Sequence, residues 1–107
     1  MPLRNLPEIG QDGRAILRNP NVPTYTSKAD ATMYAEMLKA MLRVLPQKQP
    51  GLTQAEIRTQ VVQFLSGNLY PQGKKADWWS KAVQLDLEAR GYIIRETTKP
   101  LRWHLAK

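Results

Sequence analysis

Lys74, Lys75 and Lys81 bracket two adjacent tryptophans, Trp78 and Trp79, in the stretch GKKADWWSKAVQLDLEARGYI. The chemistry open to this mixture is the capture of a polyanion. Ammonium groups pair with phosphates and release their counterions. The free N–H groups and positive dipole end of a helix starting here attract phosphate to the same place. The plain alternative is a solvated basic turn. Gln84 carries an amide able to bond adenine at N6 and N7 together, although a lone glutamine on a helix commonly does nothing more than face water. Arg95, Lys99 and Arg102 follow in a segment that reads as a hairpin, where they could hold a sugar–phosphate backbone or reach a minor groove. Equally, cations there discourage edge-to-edge strand pairing.

Catalysis finds no comparable support. There is no cysteine, so neither a disulfide framework nor a thiolate metal site is available. His104 is the only histidine, and no sequence pattern sets it beside carboxylates as a metal site or a catalytic pair requires. GKKA lacks the upstream glycine pattern of a phosphate-binding loop. The sequence therefore predicts no enzyme, no metal and no cofactor. It also lacks an apolar run of the roughly 18 residues that span a bilayer, and the polar, proline-broken start is unlike a secretory signal. A cytoplasmic protein is expected.

The charge points the same way as the lysines. The chain of 107 residues has a net charge of +7. Residues 74–107 hold eight basic and four acidic groups, or +4, whereas residues 51–73 hold one of each. A basic excess concentrated in one part of a small domain is the electrostatic footprint of polyanion binding.

The elements that must position these residues are legible in part. Pro2, Pro7, Pro20 and Pro23, with Gly10 and Gly13, break residues 1–26 into an extended arm. Its apolar residues, Leu6, Ile9, Ile16, Leu17 and Val22 among them, imply that the arm lies on a surface. A first helix is expected over 28–45, with Ser27 as N-cap and Pro46 as the stop. It is apolar on two faces: Tyr34, Leu38, Met41, Leu42 and Leu45 on one, Met33, Met37, Ala40 and Val44 on the other. One core contact needs a single face, so Met33, Met37 and Val44 become candidates for a partner interface.

Thr53 and Glu56 form a capping box for a second helix over 54–66, ended by Gly67. A third helix begins at 75 or 77, runs to 90 and is stopped by Gly91. Its core stripe is Trp79, Val83 and Leu87, which leaves Trp78, Ala82, Leu85 and Ala89 on a different face. Trp78 and Leu85 are accordingly expected at a partner surface, with Trp78 also a possible stacking platform for a base. Strands are expected over 92–96 and 101–105.

Read together, LTQAEIRTQVVQFL, WSKAVQLDLEARGYIIRE and LRWHLA resemble a winged helix-turn-helix domain, with the signal concentrated in LEARGYI, where a helix ends on glycine and an apolar strand begins. ADWWSKAVQLDLEARG followed by PLRWHL also looks like a small family of stand-alone bacterial winged-helix proteins with no assigned activity. The resemblance implies a mainly α fold with a C-terminal β-hairpin (α+β): an arm over 1–26 and a domain over 27–107 of three helices plus a wing. It makes 54–66 the supporting helix and 77–90 the recognition helix. Asp86 and Glu88 depart from that pattern, since acids on a groove-facing helix repel phosphate.

The expected function is nucleic-acid binding, to duplex DNA, mainly through phosphates, with transcriptional regulation as the associated role. Lys74, Lys75, Lys81, Gln84, Arg95, Lys99 and Arg102 are the contact residues, and a homodimer would read two half-sites. The rival expectation is a protein-interaction or self-assembly module on the same scaffold, served by Met33, Met37, Val44, Trp78 and Leu85.

Overall fold

The protein is described here by a computed structural model covering residues 5–106. It forms an α+β domain of three helices and two small sheets, the second including a C-terminal hairpin. Strand β1 (Ala15–Arg18) pairs antiparallel with β2 (Thr26–Ala29), Ala15 opposite Ala29 and Arg18 opposite Thr26. Helix α1 (Ala31–Val44) follows. Strand β3 (Leu52–Thr53) leads into α2 (Gln54–Val61), and α3 spans Ala76–Ala89. Strands β4 (Ile93–Glu96) and β5 (Arg102–Leu105) close the domain, and the second sheet has the order β3-β5-β4.

Local chemistry explains most boundaries. Thr53 accepts the N–H of Glu56 at 3.1 Å while the Glu56 carboxylate accepts the N–H of Thr53 at 2.9 Å, so the expected capping box is present. Helix α3 ends at Ala89, and Gly91 takes the left-handed conformation (φ 83°) that a glycine C-terminal stop uses. The second helix is shorter than expected, passing into a 3-10 turn at Val62–Phe64. The first helix is capped by Asp30, whose side chain accepts the N–H of Met33 at 2.9 Å, and not by Ser27. Ser27 lies in β2, opposite Leu17. Within the stretch expected as an arm, β1 buries Ala15 and Leu17, and its pairing with β2 crosses the expected boundary at 26/27. Residues 1–4 of that stretch lie outside the described residues.

The three helices pack on one another around Tyr34, Met37, Met41, Ile57, Val61, Val83 and Leu87, and the β1–β2 hairpin packs on α3. Met37, expected at an interface with a partner, has 0% of its surface exposed, and Met33 and Val44 are half-buried against the same core. The second apolar face of α1 is covered by the chain itself. Helix α1 packs on α2, α3 and the 3-10 turn; Tyr70 donates its hydroxyl to the Met33 carbonyl at 2.8 Å, and the Arg43 guanidinium lies 4.5 Å over the Phe64 ring. Gly51 is required where β3 begins: at φ 96°, an added Cβ would lie 1.9 Å from the Trp103 carbonyl oxygen.

Candidate nucleic-acid interface around the third helix

Helix α3 has an inner side held by polar bonds and an outer side left open. On the inner side Asp86 is 0% exposed. Its carboxylate accepts the Tyr34 hydroxyl, the Arg18 backbone N–H at 2.8 Å and the Arg90 Nε–H at 2.9 Å. Arg90 also donates to the Ile16 carbonyl at 2.9 Å and pairs with Glu8 at 2.9 Å. One buried carboxylate thus ties α1, α3 and the leading hairpin together. Burial first, then the charge of Asp86, pushes the Tyr34 hydroxyl far above the ordinary tyrosine range, so it stays a donor. Burial works against the Arg90 charge, but Asp86 and Glu8 outweigh it and hold the guanidinium above its usual value.

The two acids that depart from the pattern of a groove-facing helix are both held by other parts of the chain. Asp86 is inside, and Glu88 is half-buried, accepting the Trp103 indole N–H at 3.0 Å and pairing with Arg95 at 3.3 Å. The remaining acids are likewise engaged. Glu8 and Asp12 pair with Arg18 and Lys28, Asp30 caps α1, and Glu36 accepts the Ser66 N–H. Glu56 completes the capping box and meets Arg102, Asp77 meets Arg58 at 3.6 Å, and Glu96 lies 2.7 Å from His104. Each of the nine Asp and Glu side chains thus has a polar partner within the chain, although Asp77, in the first turn of α3, keeps 84% of its side chain exposed. Among the described residues the cations in no ion pair are Arg14, Arg43 and a set of exposed lysines.

Of the expected contact residues, Lys74, Lys75, Lys81 and Lys99 are exposed and, among the described residues, take part in no ion pair. Lys74 and Lys75 stand at the entry of α3. Lys75 occupies its N-cap position in the left-handed conformation (φ 71°) with no side-chain cap, an arrangement that costs a lysine on the order of 1 kcal/mol. Arg95 is exposed but paired with Glu88. Arg102 is half-buried and spent on the Gly51 carbonyl at 3.0 Å and on Glu56 at 3.3 Å. Gln84 corrects the expectation of a base contact: it is 2% exposed and accepts the Gln54 amide at 2.7 Å, so its amide faces the core and not an open groove. His104 is buried, its two ring nitrogens at 3.0 Å from the Leu105 carbonyl and 2.7 Å from Glu96. Among the described residues no group of three or more His, Cys, Asp or Glu side chains could hold a metal ion, and no helix is long and apolar enough to cross a membrane.

The outer side of α3 holds what sequence reasoning found only by half. Trp79 is 6% exposed and Trp78 is 56% exposed, as the two stripes of the helix require. Sequence spacing placed Trp78 and Leu85 on one face but not what stands across from them. The β1–β2 hairpin does so, and between it and α3 runs a cleft of about 360 Å³. Leu17 and Tyr25 from the hairpin face Trp78, Ala82 and Leu85 from the helix, with Arg18 and Lys81 also in its lining. Tyr25, 58% exposed, was missed because a tyrosine in a proline-rich stretch carries no periodic signal.

No curated protein and no solved structure matches the chain. Residues 14–103, from just before β1 into β5, match the model of a family of unknown function (DUF6958), and the protein belongs to that family.

Proposed function

We propose that this protein is a winged-helix, nucleic-acid-binding protein of the cytoplasm that engages duplex DNA chiefly through phosphate contacts, acts by binding and not by catalysis, and serves in transcriptional regulation. The element order supports the scaffold: α1, a short strand, α2, α3 and a hairpin whose second strand pairs with that short strand. On this reading α3 is the recognition helix and β4–β5 the wing. The observation that carries the function is that Lys74, Lys75 and Lys81, on α3 and at its entry, and Lys99, on the hairpin turn, are exposed and take part in no ion pair among the described residues, while Asp86 and Glu88 of α3 are bonded to other parts of the chain. Phosphate contacts fix position without reading bases, in keeping with a buried Gln84.

The test is duplex affinity against salt. Four free lysines, with Arg95 and Arg102 released or not, give a slope of log K on log salt of roughly −3.5 to −5.5. Absence of binding to any duplex at low salt rejects the proposal.

A second reading, protein docking or self-association, is favoured by one observation: Trp78, Tyr25 and Leu85 present apolar surface on a single cleft. Self-association through the second face of α1 has lost its motive, because the chain covers that face. Sedimentation at several concentrations tests what remains. A dimer that dissociates on Trp78→Ala supports this reading, and a monomer at all concentrations removes the self-association form of it.

A further inference from the structure

We propose that the cleft between the β1–β2 hairpin and α3 takes one unstacked nucleotide of a single strand, its base against Trp78 and Tyr25 and its phosphate toward Lys81. This deepens the nucleic-acid reading and rests on it. The size is apt: about 360 Å³ falls at the small-ligand end of the range for binding clefts and suits one ring with one anionic group. The walls are apt as well. Two aromatic side chains, each more than half exposed, line the same space from opposite elements. Ring faces stack on any base, and such contacts tolerate sequence.

Charge selects the occupant. No acidic residue lines the cleft, whereas Arg18 and Lys81 do. Arg18 is already paired with Glu8 at 3.2 Å, which leaves Lys81 as the cation free to meet a phosphate. Asn19 and Ser27 add polar groups able to bond a base edge. Lys81 lies on α3, the helix at whose entry Lys74 and Lys75 stand. The other depression, about 660 Å³ and lined by Gln47, Lys48, Ile94 and His104 among others, has no tryptophan or tyrosine in its lining and no comparable claim.

The experiment titrates the full chain with three probes: a twelve-base oligo-dT strand, its duplex with oligo-dA, and free thymidine monophosphate. Trp78→Ala and Tyr25→Ala should each weaken binding of the single strand by roughly five- to 150-fold, the span of base–aromatic stacking. Trp78→Phe should restore most of it, and duplex affinity should move less than about twofold in all three variants. Because both residues are exposed, circular dichroism and melting should match the parent, which confirms that the variants are folded. Single-strand affinity unchanged by both alanine substitutions overturns the proposal. So does thymidine monophosphate competing at the same concentration as the strand, which would make the cleft a free-nucleotide site. Displacement of the strand by an acidic, leucine-rich peptide at equal concentration overturns it too, in favour of protein docking. Loss of duplex binding with Trp78-dependent strand binding retained would reject the duplex reading and support the cleft. Duplex binding with no Trp78 dependence for the strand would do the reverse.

Discussion

Trp78 and Trp79 are chain neighbours whose rings meet edge to face at 4.9 Å, yet one is mostly in water and the other in the core. The same split runs along the rest of α3. Its inner side carries Trp79, Val83, Gln84, Asp86 and Leu87, with the Gln84 amide oxygen and the Asp86 carboxylate both bonded; its outer side carries Lys81, Ala82 and Leu85 beside Trp78, with the lysine in no ion pair among the described residues. The difference teaches that polarity does not report side. An acid and an amide lie inside because they have partners, and a tryptophan lies outside because the hairpin stands off from it far enough to leave a cleft. Burial of a charge is tolerated where pairing and hydrogen bonds replace water, and an aromatic ring stays partly in water where no neighbouring element closes over it.

The sharpest contrast should come from truncating the two sides in turn. Asp86→Ala leaves Arg90 buried without its partner and frees the Arg18 N–H, and should destabilise by about 3–5 kcal/mol in urea unfolding. Trp79→Ala should cost a similar 3–5 kcal/mol through the cavity it leaves, whereas Trp78→Ala should stay within about 0.5 kcal/mol of the parent. Equal losses at the two tryptophans would abolish the distinction.

Tyr34→Phe is gentler. It removes one donor from a carboxylate that keeps two others, and should cost about 1–3 kcal/mol with the fold retained. On the outer side, replacing Lys74, Lys75 and Lys81 together by alanine should leave unfolding within about 1 kcal/mol of the parent and reduce the salt slope of duplex binding by about 2.7. An unchanged slope would mean that phosphate is held elsewhere.

The smallest effect is electrostatic. Arg90, then Arg18, hold the Glu8 carboxyl below its ordinary value of 4.5 against some opposing desolvation. A lowered carboxyl stabilises the fold above its unfolded-state value, and that contribution is lost as pH falls through the folded value. Melting temperature should therefore fall between about pH 4.5 and more acid conditions, and Glu8→Gln should flatten part of that fall while lowering stability slightly at neutral pH. The pair is more than a third exposed on both Arg18 and Glu8, so the shift should be modest.

Signals confined to a few consecutive residues were legible. The Thr53–Glu56 box, the Gly91 stop and the opposite stripes of Trp78 and Trp79 each follow from spacing within one or two turns. Ser27 and Asp30 show where that logic fails. Both are good caps, and the choice between them was made by β1, which recruits Thr26–Ala29 into a strand from across a seven-residue loop. Gln84 and Asp86 fail for a related reason. On a helix of this composition they read as surface, and only Gln54 and Arg18, 30 and 68 residues away, supply the bonds that let them be buried.

By itself the amino-acid sequence determined the three helices, the C-terminal hairpin, the surplus of positive charge and the impossibility of both tryptophans sharing one core, because periodicity, capping and composition act over short chain distances. The tertiary structure alone decided which charges are free and where the exposed tryptophan finds its cleft. Ion pairs, buried hydrogen bonds and the docking of the leading hairpin on α3 join residues far apart in the chain, and no local pattern carries that information.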